Sequence, residues 1–271
     1  MRMKSKRLAI LIPCHNEEQG IAKVIRSVPI KKLKMLGYNT QIIVIDNNST
    51  DNTAAIAKIF NATVIHEDKK GKGNAIMRGF KAIKKNIDYV VMLDGDNTYK
   101  ASEIPRLVEP LESGFCDVVV GSRLGGKMKD QSLHFSNRVA NWIYTFLVRQ
   151  IYRANVTDVL SGFFAWRREV TDSLTDHIES RGFSIEMDMI TKSVKLGYTL
   201  CSVPITYDIR EGESKVQAVE DGLRIMAVLL LNFIWVPHFD FSKRTNFLAM
   251  LKMPIKKLNH TMVTISTYMM F

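Results

Sequence analysis

The sequence predicts an α/β fold with a mainly parallel central sheet flanked by helices. Three observations lead there: apolar runs of strand length alternate with helical apolar patterns, strands separated by helices imply βαβ crossovers, and a polar cluster follows each run. The strand-like runs are Leu8 to Ile12, Gln41 to Ile45, Thr63 to Ile65, Tyr89 to Leu93 and Asp117 to Val120. Between them, "EEQGIAKVIRSV", "TDNTAAIAKIF", "GNAIMRGFKAIKK" and "ASEIPRLVEPLE" carry helical spacing, the second with Thr50 or Asp51 suited to cap its N-terminus. In a parallel sheet ligands gather beyond the carboxyl ends of the strands. The polar clusters fall there: "PCHNEE", "DNNSTD", "HEDKKGKGNA", "DGDNTY" and "GSR", in strand order.

Composition bounds the function classes. With 271 residues, 46% of them hydrophobic, the chain can bury a large core, and disorder is excluded for most of it. A division into a catalytic domain at 1–221 and an apolar, then basic, extension at 222–271 is expected. The net charge of +11 creates a field that attracts phosphates, nucleic acid or an anionic membrane surface. Cys14, Cys116 and Cys201 are far apart in sequence and lack CxxC or Cys/His spacing. Neither a disulfide framework nor a zinc site is indicated, and a reducing cytosol fits.

Two apolar stretches invite a membrane reading. At the N-terminus, Leu8 to Ile12 is too short for a signal-peptide core, and "HNEE" puts charge where apolar residues should continue. Ile225 to Phe239 lacks Asp, Glu, Lys and Arg, but as a helix it would reach only about 22 Å against a hydrocarbon core of about 30 Å. It is expected not to span.

Asp94 and Asp96 stand one glycine apart after the apolar run "VVML". Carboxylates this close repel one another, and a divalent cation such as Mg²⁺ or Mn²⁺ relieves the repulsion while keeping positions for water and ligand phosphates. A solvated turn also suits "DGD", since Asp and Gly are ordinary turn residues. Four further polar clusters at successive strand ends favour the metal.

"IPCHNEE", "VIDNNSTDNT", "GKGNA", "MLDGDNTY", "GSR", "TDVLSGFFAWRRE" and "YDIREGESK", in this order and spacing, resemble the family 2 glycosyltransferases of GT-A fold. Among these they are similar to the dolichyl-phosphate mannose synthase-like enzymes, which load a sugar onto a polyprenyl phosphate, and to archaeal dolichyl-phosphate sugar synthases. The resemblance runs from about Leu8 to about Leu230. It implies that Pro13, Asn16 and Glu17 border the nucleotide's base and ribose, and that Asp46 holds the base with Asn48 and Asp51 nearby. Asn16 and Glu17 are also good helix N-terminal chemistry. Lys72 and Gly73 of "GKGNA" offer a cation and a flexible backbone near a helix N-terminus, suited to phosphate or base contact, and a plain glycine turn fits as well.

A hydroxyl acceptor needs a general base, whereas a phosphate monoester with a second pKa near about 6 is already largely anionic at neutral pH. Such an acceptor calls for cations. The resemblance places Arg123, Arg138, Arg210, Ser214 and Lys215 around the acceptor phosphate, although Arg138 also suits a plain surface charge. Asp158, with Ser161 and Gly162, matches the segment lining the donor sugar and the reaction centre, and favours sugar binding or site shaping over base work. The catalytic set is thus Asp96, Asp158, Arg123, Arg210 and Lys215, with Asp94 and Asp96 as metal ligands. Glu186 suits a sugar contact, a helix cap or a solvated face; His15 is a loop histidine.

The expected reaction is inverting, metal-dependent transfer from a nucleotide-diphospho-sugar, either a UDP-sugar or GDP-mannose, to a polyprenyl phosphate. The expected place is the cytoplasmic face of a membrane, peripheral or interfacial, with no nucleic-acid partner. "NWIYTFLVRQIY", Asn141 to Tyr152, suits an interfacial helix or packing against the sheet. Between Asp240 and Phe271 five basic residues face one acid, giving +4 by count, a composition suited to an anionic leaflet. Two alternatives stay open: a family 2 transferase acting on a saccharide hydroxyl, and a nucleotide-sugar-binding module without turnover. A nucleotidyltransferase or dinucleotide enzyme is disfavoured, because no glycine-rich phosphate loop or GxGxxG follows the first strand.

Overall fold

Residues 5–130, 132–212 and 217–237 are described by a computed structural model. Ser214 and Lys215, and the basic tail beyond Pro237, lie outside the described residues. The strands are β1 (Lys6–Cys14), β2 (Tyr38–Asp46), β3 (Thr63–His66), β4 (Tyr89–Met92), β5 (Val118–Met128), β6 (Phe164–Arg167) and β7 (Leu200–Tyr207). The helices are α1 (Ile21–Ser27), α2 (Ile30–Met35), α3 (Thr53–Ile59), α4 (Lys72–Ala82), α5 (Ile104–Glu112), α6 (Phe135–Tyr152), α7 (Arg168–His177), α8 (Ile185–Lys195) and α9 (Ala218–Ile234).

The strands make one sheet in the order β3-β2-β1-β4-β6-β5-β7. All pairings are parallel except those of β6, which runs antiparallel to both β4 and β5. Period-two alternation along the buried strands divides the core between two faces. Ala9, Leu11, Val90, Met92, Val118 and Val120 pack with α4, α7 and α8, whereas Leu8, Ile10, Ile12, Val91, Leu93 and Val119 pack with α1 and α5. Near-continuous apolar runs are what a strand covered on both faces requires.

Two strands lie outside the sequence expectation, and each has a physical reason. The short strand β6 follows a loop rather than a helix, and its place is secured by packing: Trp166 is fully buried, with Phe164 at 5.1 Å and Phe80 at 5.4 Å between ring centroids. Pro204 interrupts the pattern of β7, but β7 is an edge strand, where a missing N–H costs no ladder bond. Helix boundaries differ as well. The first helix starts at Ile21 rather than among the glutamates, and Asn52 rather than Thr50 or Asp51 precedes α3. Asp51 still serves that end, its Oδ1 accepting a bond from Thr53 N at 2.9 Å.

Helix α9 straddles the division expected at 221/222, and one compact unit runs through Trp235. Asp221, Ile225, Leu229 and Asn232 are its buried residues. Asn232 Nδ2 donates to Asp188 Oδ1 and to Thr191 Oγ1, each at 2.8 Å, tying α9 to α8.

Candidate active site

The carboxyl ends of β1, β2 and β4 bring the polar clusters together. Beyond β1, Asn16 accepts from Thr50 N at 2.8 Å through Oδ1, and Glu17 N donates to Thr53 Oγ1 at 2.8 Å. Asn16 and Asn48 both hold left-handed backbone, φ 54° and 56°, which asparagine tolerates. Pro13 is buried at the end of β1, opposite Ile45. Asp51 Oδ2 accepts from Glu18 N at 3.1 Å, so it stitches the two loops together. Asp46, buried at the end of β2, accepts from Ser49 N at 3.3 Å, and its other oxygen lies 3.0 Å from His66 Nδ1.

The "DGD" carboxylates each face a cation. Lys72 Nζ lies 2.8 Å from Asp94 Oδ1 and 2.7 Å from Glu186 Oε1, although these residues come from α4, the loop after β4, and α8. Burial alone would depress the Lys72 pKa, but the charges of Asp94 and Glu186 win and raise it, so it stays protonated. Asp96 is 1% exposed. Its Oδ1 accepts from Thr98 Oγ1 at 2.6 Å, and its Oδ2 lies 2.6 Å from Arg210 Nη2 without hydrogen-bond geometry. Burial, then the charge of Asp94, pushes the Asp96 pKa up.

Arg210 arrives there because the chain after β7 is strapped to the same loop. Asp208 N donates to Thr98 O and Glu211 N to Asp96 O, each at 2.9 Å, and Tyr99 bridges to Tyr207. A Cβ at Gly162 would run into the Asp94 carboxylate, so the "SGF" turn requires glycine for this approach. Gly73 likewise lies against the backbone of Ser180 and Arg181, and its N–H donates to Arg181 O at 2.9 Å. The "GKGNA" glycines therefore seat the loop that carries Lys72.

Arg123 and Asp158 form a second centre. The pairing of β5 with β7 shifts register between Ser122 and Lys127, and this irregularity releases Arg123 from the ladder. Arg123 Nε donates to Asp158 Oδ2 at 2.8 Å and Nη2 to Oδ1 at 2.9 Å, while Nη2 also reaches Leu160 O at 2.7 Å. Asn141 Nδ2 donates to Asp158 Oδ1 at 2.7 Å. Burial would raise the Asp158 pKa, but the guanidinium and its hydrogen bonds hold it below the usual carboxylate range. Asp158 thus braces Arg123. Arg138 is exposed on α6, one turn before Asn141.

Several participants carry no sequence signal for their role. Asn141 sits within an apolar helix pattern and Tyr99 within "DGDNTY", yet Tyr99 Oη accepts from Gly162 N at 2.6 Å. Glu186 and Asp188 are buried rather than solvated. Burial pushes the Glu186 pKa up. Asp188 accepts from Glu179 N and Ser180 N, shaping the loop against which Gly73 packs.

Among the described residues, no group of three His, Cys, Asp or Glu side chains converges as a metal cluster. The donor chemistry at "DGD" still fits Mg²⁺ or Mn²⁺: two hard oxygen donors, one of them a buried Asp96 oxygen without a hydrogen bond, in a site where one or two carboxylates plus phosphates suffice.

The mainly parallel sheet, with carboxylates and cations gathered at its strand ends, is shared with transferases of GT-A fold. The chain belongs to the family "Glycosyl transferase family 2", which matches residues 9–175. It is 33% identical over 236 residues to the low-salt glycan biosynthesis hexosyltransferase Agl6 of Haloferax volcanii; the match covers 87% of this chain and 55% of that protein, so the chain spans about half that relative's length. It is 31% identical over 223 residues to the undecaprenyl-phosphate mannosyltransferase of Micrococcus luteus, covering 78% of this chain and 87% of that one. In fold it is similar to glucosyl-3-phosphoglycerate synthase of Mycobacterium tuberculosis, crystallised with Mn²⁺, UDP and phosphoglyceric acid. That likeness has a TM-score of 0.65 at 24% identity, covering 86% of this chain and 80% of the other.

Proposed function

We propose that this chain moves a sugar from a nucleotide-diphospho-sugar to a polyprenyl phosphate at a membrane surface. The observation that carries the reading is the engagement of the site's acids. Asp94 and Glu186 pair with Lys72, Asp96 with Arg210, and Asp158 with Arg123. A hydroxyl acceptor would call for a carboxylate base; a phosphate acceptor needs none and calls for cations. The relative named as an undecaprenyl-phosphate mannosyltransferase supports the same acceptor class.

In this reading the Asp46 end of the site receives the base and ribose, with the Asn16, Glu17, Asn48 and Asp51 loops as its wall. Lys72 lies toward the diphosphate and the sugar. When bound, a divalent cation held by Asp96 and Asp94 neutralises charge on the departing diphosphate. Arg210, already beside Asp96, orients the acceptor phosphate, with Arg138, Ser214 and Lys215 as further contacts. Arg123 holds the floor through Asp158 and Asn141. The acceptor oxygen attacks the anomeric carbon opposite the leaving group, with inversion.

Attachment at the cytoplasmic face fits two neighbouring helices. Helix α6 exposes Phe135, Val139, Trp142, Ile143 and Phe146, and α9 exposes Val219, Leu223, Leu230 and Ile234. Tyr144 and Tyr152 of α6 hydrogen-bond to Gly222 O and Leu229 O of α9. No helix among the described residues is long and apolar enough to cross a membrane. Interfacial seating of such faces accommodates an acceptor that stays in the bilayer.

The deciding experiment incubates the full chain with a panel of radiolabelled UDP- and GDP-sugars, Mn²⁺ and a short polyprenyl phosphate, then extracts lipid. Label in the organic phase with one donor is expected. Label only on an added saccharide would favour the hydroxyl-acceptor alternative.

A further inference from the structure

Cys116 lies in the loop between α5 and β5, and Cys201 is the second residue of β7. They are 85 positions apart, yet their Sγ atoms are separated by only 2.7 Å, well inside the van der Waals contact of two sulfurs. Both are buried, at 2% and 5% exposure, under α5 on the sheet face away from α4. The backbone around them is pinned. Asp117 N and Val118 N both donate to Thr199 O, at 2.9 and 3.0 Å, and Thr199 N donates back to Asp117 Oδ2 at 2.9 Å. Cys116 N reaches Pro110 O at 3.3 Å. Neither thiol belongs to the site described above, and no step of the proposed reaction uses one.

We propose that Cys116 and Cys201 are an oxidisable dithiol which closes to an intramolecular disulfide, stapling the edge strand β7 to β5. Sulfurs already in contact, on backbones fixed to one another, meet the first requirement for a bridge, that it form without backbone movement. Either sulfur can take the attacking role, and both choices close the same bridge. A small hydroperoxide is the oxidant. The thiolate of one cysteine attacks one peroxide oxygen, the O–O bond breaks, hydroxide leaves, and a sulfenic acid forms. The other cysteine then displaces that oxygen as water, closing the S–S bond. One thiolate, one thiol and hydrogen peroxide thus become one disulfide, one hydroxide and one water; the sulfurs lose two electrons and the peroxide gains them.

The bridge would close a long loop, which restricts the unfolded chain more than a short one does. It sits away from Arg123 and Arg210, so its effect falls on stability rather than transfer. The test treats the full chain with hydrogen peroxide, blocks remaining thiols with iodoacetamide in denaturant, and maps peptides by mass spectrometry. A linked peptide pair containing Cys116 and Cys201 is expected, with Cys14 alkylated. The Tm should rise by about 5–15 °C and return after dithiothreitol. Cys201→Ser should show no peroxide-induced rise, and Cys116→Ser the same. Alkylation of every cysteine after peroxide, sulfinic acid at either position without a linked peptide, or a link through Cys14 would each overturn the proposal, and these readouts on the wild-type chain stand even if a serine variant fails to fold.

Discussion

Arg210 Nη2 stands 2.6 Å from Asp96 Oδ2, so a cation assigned to the acceptor phosphate and a carboxylate assigned to the diphosphate side form one ion pair. Two halves of the site that enter the sequence more than a hundred residues apart are thereby electrostatically joined. Whatever neutralises Asp96 changes what Arg210 faces.

The first prediction follows from the raised pKa of Asp96, caused by burial and then by Asp94. A carboxyl whose folded pKa exceeds its unfolded value, about 3.9, adds stability below that value and loses it as pH rises through the folded pKa. At neutral pH, above the unfolded value, Asp96 therefore opposes folding. Asp96→Asn should leave Tm unchanged or higher while turnover falls by at least ~10²-fold. Chelation should stop the wild type, and Mn²⁺ should restore it. Thermal melts beside the lipid-extraction assay check both parts, and full turnover in EDTA would remove the metal assignment.

Asp158 behaves in the opposite sense. Burial would raise its pKa, but Arg123 holds it low, so the pair's contribution is present above the ordinary aspartate range and fades only as pH falls through the depressed value. It should persist at pH 5. Asp158→Ala strands a buried guanidinium and should cost about 3–5 kcal/mol. Urea unfolding of wild type and variant at pH 5 and 7 measures this; a loss below ~1 kcal/mol would mean that Arg123 escapes to solvent.

Lys72 should act on the donor and on the fold together, because without it both of its carboxylate partners lack a cation. Lys72→Met leaves Asp94 and Glu186 without their shared cation and lowers stability, and loss of its proposed charge-assisted contact with the donor diphosphate, about 1.5–3 kcal/mol, should lower nucleotide-sugar affinity roughly 10–150-fold. Calorimetric titration with the nucleotide sugar checks the loss. Weakened acceptor binding with intact donor binding would move Lys72 to the other half of the site.

Trp142 and Phe146 stack on exposed α6 with ring centroids 6.0 Å apart. If they enter the interface, replacing both by serine removes apolar burial worth roughly 1.5–3 kcal/mol per side chain when complete. Binding to anionic liposomes should then weaken by ~10²-fold or more, with nucleotide-sugar affinity unchanged. Flotation of both proteins decides it. Equal recovery with the vesicles would assign membrane contact elsewhere.

Much of the fold is legible in the sequence. The first five strands follow from apolar runs whose alternation is a local property, and the polar clusters mark their carboxyl ends, where Asp46, Asp94 and Asp96 are found. The fourth helix was legible for the same reason: its spacing repeats over a few turns of chain. Strand β6 was not, because four residues carry too short a pattern, and its direction depends on Trp166 meeting Phe80 across the core. Pro204 masked β7, since only the strand order shows that this strand has a free edge.

Residue types and their order determined the class of chemistry: paired carboxylates after a buried strand, a glycine-flanked lysine, and arginines in the second half of the chain. Tertiary structure alone decided the partners. Lys72 bonds Glu186 across 114 positions, Arg123 is braced by Asp158 and Asn141, and Cys116 touches Cys201. Periodicity and turn preference are written in neighbouring residues, whereas a charge finds its counter-ion only after the sheet has set which loops share an end, because desolvation makes each buried ion depend on whatever side chain the fold places beside it.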